Sequence, residues 1–320
     1  MALKRPRIFV AIASYRDPLL AQTVLQAIEM ATHPERVRFG LVDQCEQQHR
    51  WPVLQGAIAK SVTYCAVDAS FARGVCWARG VAQSLWEGEE VYIQLDAHMA
   101  FRKGWDEWVE ASLFEKLSLN GNSVLSSFPP NFAVKDGVPE IDKWSEKSTV
   151  HHAPNLDATF SDGKGMVLTY EGRLIDDTPS LRGYHVSAAV VIAPGRFAEC
   201  FLNDPAIYFY GEEQSLALRL FTHGWDIWHP VGMPIGHLYN AGGVRPLHWD
   251  EDADTTREVR WWERDARSYL RQRSLCEVPS SCGAYGLGTV RSLADYAAAS
   301  GVDYINRTID HDRARRLQIV

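Results

Sequence analysis

Four apolar runs, each ending in a polar cluster, constrain this chain more than any other feature. Ile8-Phe9-Val10-Ala11-Ile12-Ala13 runs into Ser14-Tyr15-Arg16-Asp17, and Val37 to Val42 runs into Asp43-Gln44. Ser61 to Val67 ends at Asp68, and Val91 to Leu95 ends at Asp96-Ala97-His98. Continuous apolar stretches of this length read as strands buried on both faces, a property of parallel sheets. Between them, Leu19 to Ala31 carries apolar residues at helical spacing, and the segment Ala72 to Gly80 leads into a helix expected to run through Trp86. Strand and helix alternate, so the predicted class is α/β, a Rossmann-like and mostly parallel sheet flanked by helices. Ligands of such sheets gather at the carboxyl ends of the strands, where the four polar clusters fall.

Composition narrows the partners. With 320 residues, 46% of them hydrophobic, the chain can bury one large core or two joined ones. Its net charge is −7 and no Lys/Arg run is long enough to follow a phosphate backbone, so nucleic acid is not an expected partner. An anionic ligand must then be held locally, by a metal, a helix N-terminus or a few arginines. Met1 to Arg7 is basic and leads straight into the first strand, with no signal-like or membrane-spanning stretch, so a cytoplasmic location is expected. The six cysteines are scattered without a C-x-x-C pair, which favours reduced thiols over a cysteine zinc site.

The fourth strand carries the sharpest chemistry. Asp96 and His98 alternate past its end, so both face one cleft, and a carboxylate beside an imidazole suits Mn²⁺ or Mg²⁺. The competing reading is an Asp that caps the next turn with a His packed beside it. Gly236-His237 allows close backbone approach, and His237 either completes a facial set with Asp96 and His98 or is structural. Arg73 and Arg79 flank the turn into the helix after the third strand and serve either an anion or the solvated surface. Glu212 and Glu213 follow Tyr208-Phe209-Tyr210-Gly211 at the start of a helix that stops at Gly224. They either complement its dipole or face a substrate hydroxyl. Neither a P-loop nor a G-x-G-x-x-G fingerprint is present.

The remaining segments are read more coarsely. A helix is expected over Trp105 to Leu117, with strands over Ser123 to Phe128, Val186 to Ile192 and Asp226 to Pro230. Asn131 to Pro179 is polar and Gly/Pro-punctuated, an insertion with a strand at Met166 to Tyr170, and His151-His152 within it is read as surface because adjacent strand side chains point apart. Asn240 to Trp249 suits a mobile lid. A charged helix over Thr255 to Arg273 and a short helix capped by Thr289 close the chain. The expected organisation is a nucleotide-binding half over 1–130, an acceptor-binding half with insertion and lid over 131–250, and a C-terminal helical extension over 251–320.

Ala13-Ser14-Tyr15-Arg16-Asp17, Ala72-Arg73-Gly74 to Ala78-Arg79, Gln94-Leu95-Asp96-Ala97-His98, Tyr210-Gly211-Glu212-Glu213 and Tyr285-Gly286-Leu287-Gly288 occur in this order along most of the chain. In order and spacing the sequence resembles the cytosolic glycosyltransferases that add N-acetylglucosamine to hydroxyproline on a ubiquitin-ligase adaptor, together with their bacterial relatives. Asp96-x-His98, the Gly-Glu-rich helix start and Gly236-His237 are more distantly similar to the polypeptide N-acetylgalactosaminyltransferases. The resemblance implies a GT-A fold and transfer from a UDP-sugar to a hydroxyl on a protein or glycan, with retention. It implies Asp96, His98 and His237 as metal ligands and a uridine pocket of Ser14, Tyr15 and Arg16, with Asp43, Gln44 and Asp68 nearby. Arg73, Arg79, Gln94 and Asp96 would meet the diphosphate or sugar, and Glu212 and Glu213 the donor sugar and acceptor hydroxyl. Ala97 stands where relatives often have Ser, and the 131–179 region follows no family pattern. Two other functions fit the same residues, a metal-dependent nucleotide-sugar hydrolase and a non-catalytic nucleotide- or carbohydrate-binding module.

Overall fold

The computed structural model describes residues 5–51, 57–136, 138–142, 146–161, 166–239, 245–250, 255 and 257–319. The opening strands lie where the apolar runs place them: β1 (Ile8–Tyr15), β2 (Val37–Gln44), β3 (Val62–Val67) and β4 (Val91–Leu95). Between them run α1 (Leu20–Met30), α2 (Ala57–Ser61) and α3 (Val75–Gln83), the last ending three residues short of Trp86. Then follow β5 (Met99–Phe101), α4 (Trp105–Leu119), β6 (Ser123–Leu125) and two hairpins, β7 (Phe132–Lys135) with β8 (Val138–Ile141) and β9 (Thr149–Pro154) with β10 (Tyr170–Ile175). The chain continues through β11 (Leu181–Gly183), β12 (Val190–Pro194), α5 (Phe197–Cys200), α6 (Glu212–Thr222), β13 (Asp226–His229) and β14 (Ile235–His237). Among the described residues no helix is long and apolar enough to cross a membrane.

Eight strands form one sheet in the order β11-β13-β6-β12-β4-β1-β2-β3. The pairs β1–β2, β2–β3, β1–β4 and β13–β6 are parallel, whereas β12 runs antiparallel to both of its neighbours and β11 to β13. The sheet therefore takes strands from both sides of residue 130. Alternation along β1 splits the core: Ile8, Val10 and Ile12 pack with Leu20, Val24 and Ala27 of α1 and with Trp105, Val109 and Leu113 of α4. Phe9 and Ala11 face the other way, towards Ala78 and Ala82 of α3 and Ala217 and Leu220 of α6. The outer side of α6, through Leu218 and Phe221, meets Tyr296, Val302, Tyr304 and Ala314 from the C-terminal part, so this helix is covered on both sides. Connections leave β1 for β2 on one side and reach β4 on the other. The resulting crevice at the carboxyl ends of β1 and β4 is the switch point at which such sheets bind ligands.

Several local expectations shift. The strand expected at Met166 to Tyr170 begins only at Tyr170, and that expected at Val186 to Ile192 spans Val190–Pro194. The charged C-terminal helix is α7 (Trp261–Glu277), later than expected. The short helix that follows, α8 (Leu293–Ser300), is capped by Ser292 in a capping box with Asp295, and not by Thr289. Of the expected lid, 240–244 lies outside the described residues. The reading of His151 and His152 as surface is corrected: both are buried, at 4% and 1% exposure. Adjacent side chains do point apart on β9, but that strand packs against β11, β13 and the 311–314 helix, so both of its faces are covered.

Candidate active site

The turn after β4 is fixed from two sides. Thr23 of α1, wholly buried, donates its hydroxyl to Ala97 O (2.8 Å) and accepts from Met99 N (3.0 Å), while Asp96 N donates to Ala189 O. Chain reversal at Ala97 then delivers Asp96 and His98 to the same side. His237 arrives on β14, antiparallel to β5 with His237 opposite Met99 and with His237 N donating to Pro130 O (2.8 Å). Three ligand atoms meet. His98 Nε2 lies 2.9 Å from His237 Nε2, and Asp96 Oδ2 lies 3.3 Å from His237 Nε2 and 3.8 Å from His98 Nε2.

The donor set can be tested against a divalent ion. Neighbouring ligands in an octahedron with bonds of about 2.1 Å stand about 3 Å apart, close to the observed triangle. Two neutral imidazoles and one carboxylate suit Mn²⁺ better than the all-oxygen surroundings of Ca²⁺. Among the described residues this is the one cluster of metal-ligand type. The electrostatics agree. Burial alone would raise the Asp96 carboxyl, but the hydrogen bond from His237 and the charges of Arg79, His98 and His237 hold it well below the usual carboxylate range. Burial also lowers His237, keeping its ring neutral and able to ligate.

Arg79 connects this cluster to the helix start at Glu212. Its Nη2 donates to Asp96 Oδ1 (2.7 Å) and its Nη1 lies 2.5 Å from Glu212 Oε2, all three deeply set. Gly74 and Gly211 permit that closeness. At Gly74, with φ +110°, a Cβ would strike the Tyr208 carbonyl, which accepts from Val75 N (2.9 Å) and docks α3 on the turn before α6. At Gly211, with φ +88°, it would strike Gln272 of α7, whose side-chain amide donates to Tyr210 O. Beside Glu212, Glu213 Oε1 accepts from Ala188 N (2.7 Å), and burial pushes its carboxyl up to about 7 despite that bond.

These groups line a cleft of about 710 Å³, within the usual range for small-molecule sites. Ser14, Tyr15, Gln44, Arg79, Asp96, His98, Glu212, Glu213 and His237 all face it. Five other candidates do not. Asp43, one position before Gln44, alternates to the far side of β2, where it accepts from Tyr64 OH (2.6 Å). Arg16 pairs with Glu46, and Asp68 caps its own turn through Ser70. Arg73 is exposed, its guanidinium 5.7 Å from the Trp77 ring centre, and Gln94 donates to Ala188 O (3.0 Å) behind the cleft wall. In their place the cleft has residues to which no sequence signal assigned a role: Asp17, noted only as part of a strand-end cluster, Tyr239, Arg245, and the aromatic group of Phe209, Tyr210 and Trp249, with Tyr210 and Trp249 stacked at 6.1 Å. Only the run of aromatics at 208–210 hinted at the last group. Tyr285-Gly286-Leu287-Gly288 lies outside this cleft: a Cβ at Gly288 would collide with the backbone of Thr222 and His223, so the segment seats the C-terminal part on the end of α6.

No curated protein matches the sequence. Among solved structures, that of GalNAc-T7 with UDP, GalNAc and Mn²⁺ is similar over 92% of this chain and 54% of that one, with a TM-score of 0.53 and 14% identity. The chain therefore spans about half the length of that neighbour. At this identity the likeness speaks to fold, and the mixed sheet with its switch-point cleft is a GT-A fold. The family model described as glycosyltransferase (GlcNAc) matches residues 7–58 and 46–306, a span that holds every cleft residue named above. The chain belongs to this GlcNAc glycosyltransferase family.

Proposed function

We propose that this protein transfers a sugar, N-acetylglucosamine, from its UDP-activated form to a hydroxyl on a protein or glycan acceptor, with retention of configuration and with a divalent metal. The observation that carries the reading is the convergence of Asp96, His98 and His237 at the floor of the cleft, between the β1 wall and the start of α6. The GalNAc-T7 structure holds UDP, a sugar and Mn²⁺ on the same fold, which supports a nucleotide-sugar donor and Mn²⁺ for this chain as well.

Held by Asp96, His98 and His237, the ion would act as a Lewis acid that neutralises charge on the diphosphate leaving group. Ser14, Tyr15 and Gln44 form the wall for the uridine. Gln44 is itself braced, its side-chain amide donating to Ser14 O (2.9 Å), and Tyr15 OH accepts from Arg257 Nη2 (2.5 Å). Arg79 keeps Asp96 ionised and turned towards the histidines, and holds Glu212 at the sugar side. Glu213 sits where an acceptor hydroxyl would enter. With its carboxyl near 7, it can accept a proton from that hydroxyl without being trapped as a strong acid's conjugate. Arg16, Asp43, Asp68, Arg73 and Gln94 do not line the cleft and take no direct part in this reading. The acceptor follows the same proposal: a hydroxyl on protein, as in the hydroxyproline-modifying enzymes the sequence resembles, or on a glycan.

Isothermal titration with UDP, with and without Mn²⁺, on the parent and on Asp96→Ala tests this reading. Metal-dependent binding that disappears in the variant is the expected outcome. Absence of UDP binding in the parent under both conditions overturns it.

A further inference from the structure

Asp17 sits at the end of β1, its side chain only 6% exposed, and three groups donate to it. Leu19 N bonds to Oδ1 (2.9 Å), while Oδ2 faces His98 Nδ1 (2.8 Å) and Arg245 Nη1 (3.4 Å). A carboxylate has no proton to give, so His98 Nδ1 must carry the hydrogen, and the neutral ring then presents a lone pair at Nε2. That is the atom aimed at Asp96 and His237. Arg245 also reaches Leu238 O (3.1 Å), and Leu238 N donates to His98 O (3.1 Å), so the ring and backbone of His98 are tied to one buried network.

We propose that Asp17 is the positioning residue of the metal site: it selects the His98 tautomer and holds the ring so that Nε2 can ligate. The proposal rests on the metal reading given above. Carboxylates behind metal-bound histidines commonly contribute about 10- to 100-fold to affinity. Asp17→Asn makes a sharp test because it preserves size and the bond to Leu19. With Oδ1 still engaged by Leu19, the amide nitrogen takes the place of Oδ2 and donates to Nδ1. The ring proton then moves to Nε2, where it occupies the ligating lone pair.

The experiment is titration of the full-length parent and of Asp17→Asn with MnCl₂ alone, no nucleotide present. Thermal unfolding in EDTA and the visible absorption of the Co²⁺-loaded proteins are recorded in parallel. The expected result is a rise of about 10- to 100-fold in the Mn²⁺ dissociation constant, a changed Co²⁺ spectrum and a melting temperature in EDTA within about 2 °C of the parent. Equal Mn²⁺ affinity and an unchanged Co²⁺ spectrum overturn the positioning role while leaving the metal site standing. Loss of affinity together with a large fall in the EDTA melting temperature also overturns it, since Asp17 would then be structural. A parent that binds no Mn²⁺ overturns the metal reading and this proposal together.

Discussion

Two clusters of histidines lie among the described residues, and they differ in the groups that surround them. His98 and His237 are joined by Asp96 and Asp17: Asp17 faces His98 Nδ1 and Asp96 faces His237 Nε2, while His237 Nδ1 is buried without a partner. The other group, His151, His152, His185 and His229, packs ring against ring at 5.7 to 6.0 Å with Phe128 and Tyr170 around it. Its polar contacts are few and neutral: His229 Nδ1 accepts from His152 N (3.3 Å), and His185 Nδ1 lies 3.3 Å from Tyr296 OH. Both ring nitrogens of His152 lack a partner. Burial lowers all four, His151 to about 4 and His185 to about 3. An imidazole beside carboxylates becomes a ligand, whereas imidazoles packed against aromatics become a neutral core.

If that division is right, substitutions in the two groups fail in different ways. Asp96→Asn has the largest expected effect, a loss of about 1,000-fold or more in turnover of the folded protein. Glu213→Gln comes next, at about 100-fold or more in turnover with UDP affinity retained. For the parent, turnover should climb as pH rises through about 7, because Glu213 accepts a proton only when ionised, and Glu213→Gln should flatten that rise. By contrast His229→Ala, at a wholly buried site, should cost about 2–4 kcal/mol in denaturant unfolding while turnover per folded molecule survives. Rates and unfolding curves measured on the same three variants check all of this. A His229→Ala protein that is stable but inactive would erase the distinction.

The two groups also differ in how well the sequence announces them. Asp96 and His98 were legible because a strand end is a local event: apolar run, reversal, alternating polar residues. His237 was legible only as a candidate, since its meeting with the other two depends on β14 pairing with β5 across more than 130 residues. β1 to β4 and the position of the cleft followed from the same local periodicity, whereas β11 lies where no strand was expected. Alternation, applied one residue further, would have separated Gln44 from Asp43, which face opposite sides of β2. Asp17 was visible only as the end of a strand-end cluster, and Arg245 and Trp249 only within the lid segment, with nothing local to assign them a role. The misreading of His151 and His152 has the same origin. Parity says that one of two adjacent strand residues faces outward, but what lies outside β9 is the chain terminus near residue 314, which no neighbouring sequence reveals.

A pH effect on stability follows from the missing carboxylates. In the unfolded chain the four histidines titrate near 6.5, and in the folded protein they titrate lower, so below that pH the unfolded state binds more protons. Stability from this group is therefore intact above 6.5 and is lost as pH falls from 6.5 towards 4, by on the order of 1 kcal/mol per pH unit for each histidine. Guanidinium unfolding at pH 7.5 and at pH 5 measures it. Equal stability at both would mean that the buried rings find compensating partners.

The finest test substitutes the most isolated ring. His152 is 1% exposed and neither of its nitrogens has a hydrogen-bond partner, so its ring N–H is buried without an acceptor. Leaving a buried polar group unsatisfied costs about 1–3 kcal/mol, and an apolar residue of similar volume avoids that cost. The Phe128 and Tyr170 rings that now pack on His152 can pack on leucine instead, at some loss of aromatic contact. These opposing effects leave His152→Leu neutral or more stable by up to about 1 kcal/mol at pH 7.5. Its advantage should widen at pH 5, because one titrating group has been removed. The same replacement at His98, whose ring meets His237 and whose nitrogens face Asp17 and His237, should abolish Mn²⁺ binding and leave Asp17 facing a side chain that donates nothing. A His152→Leu protein less stable than the parent at both pH values would show that this ring has a polar role, and the two histidine groups would then differ in degree only.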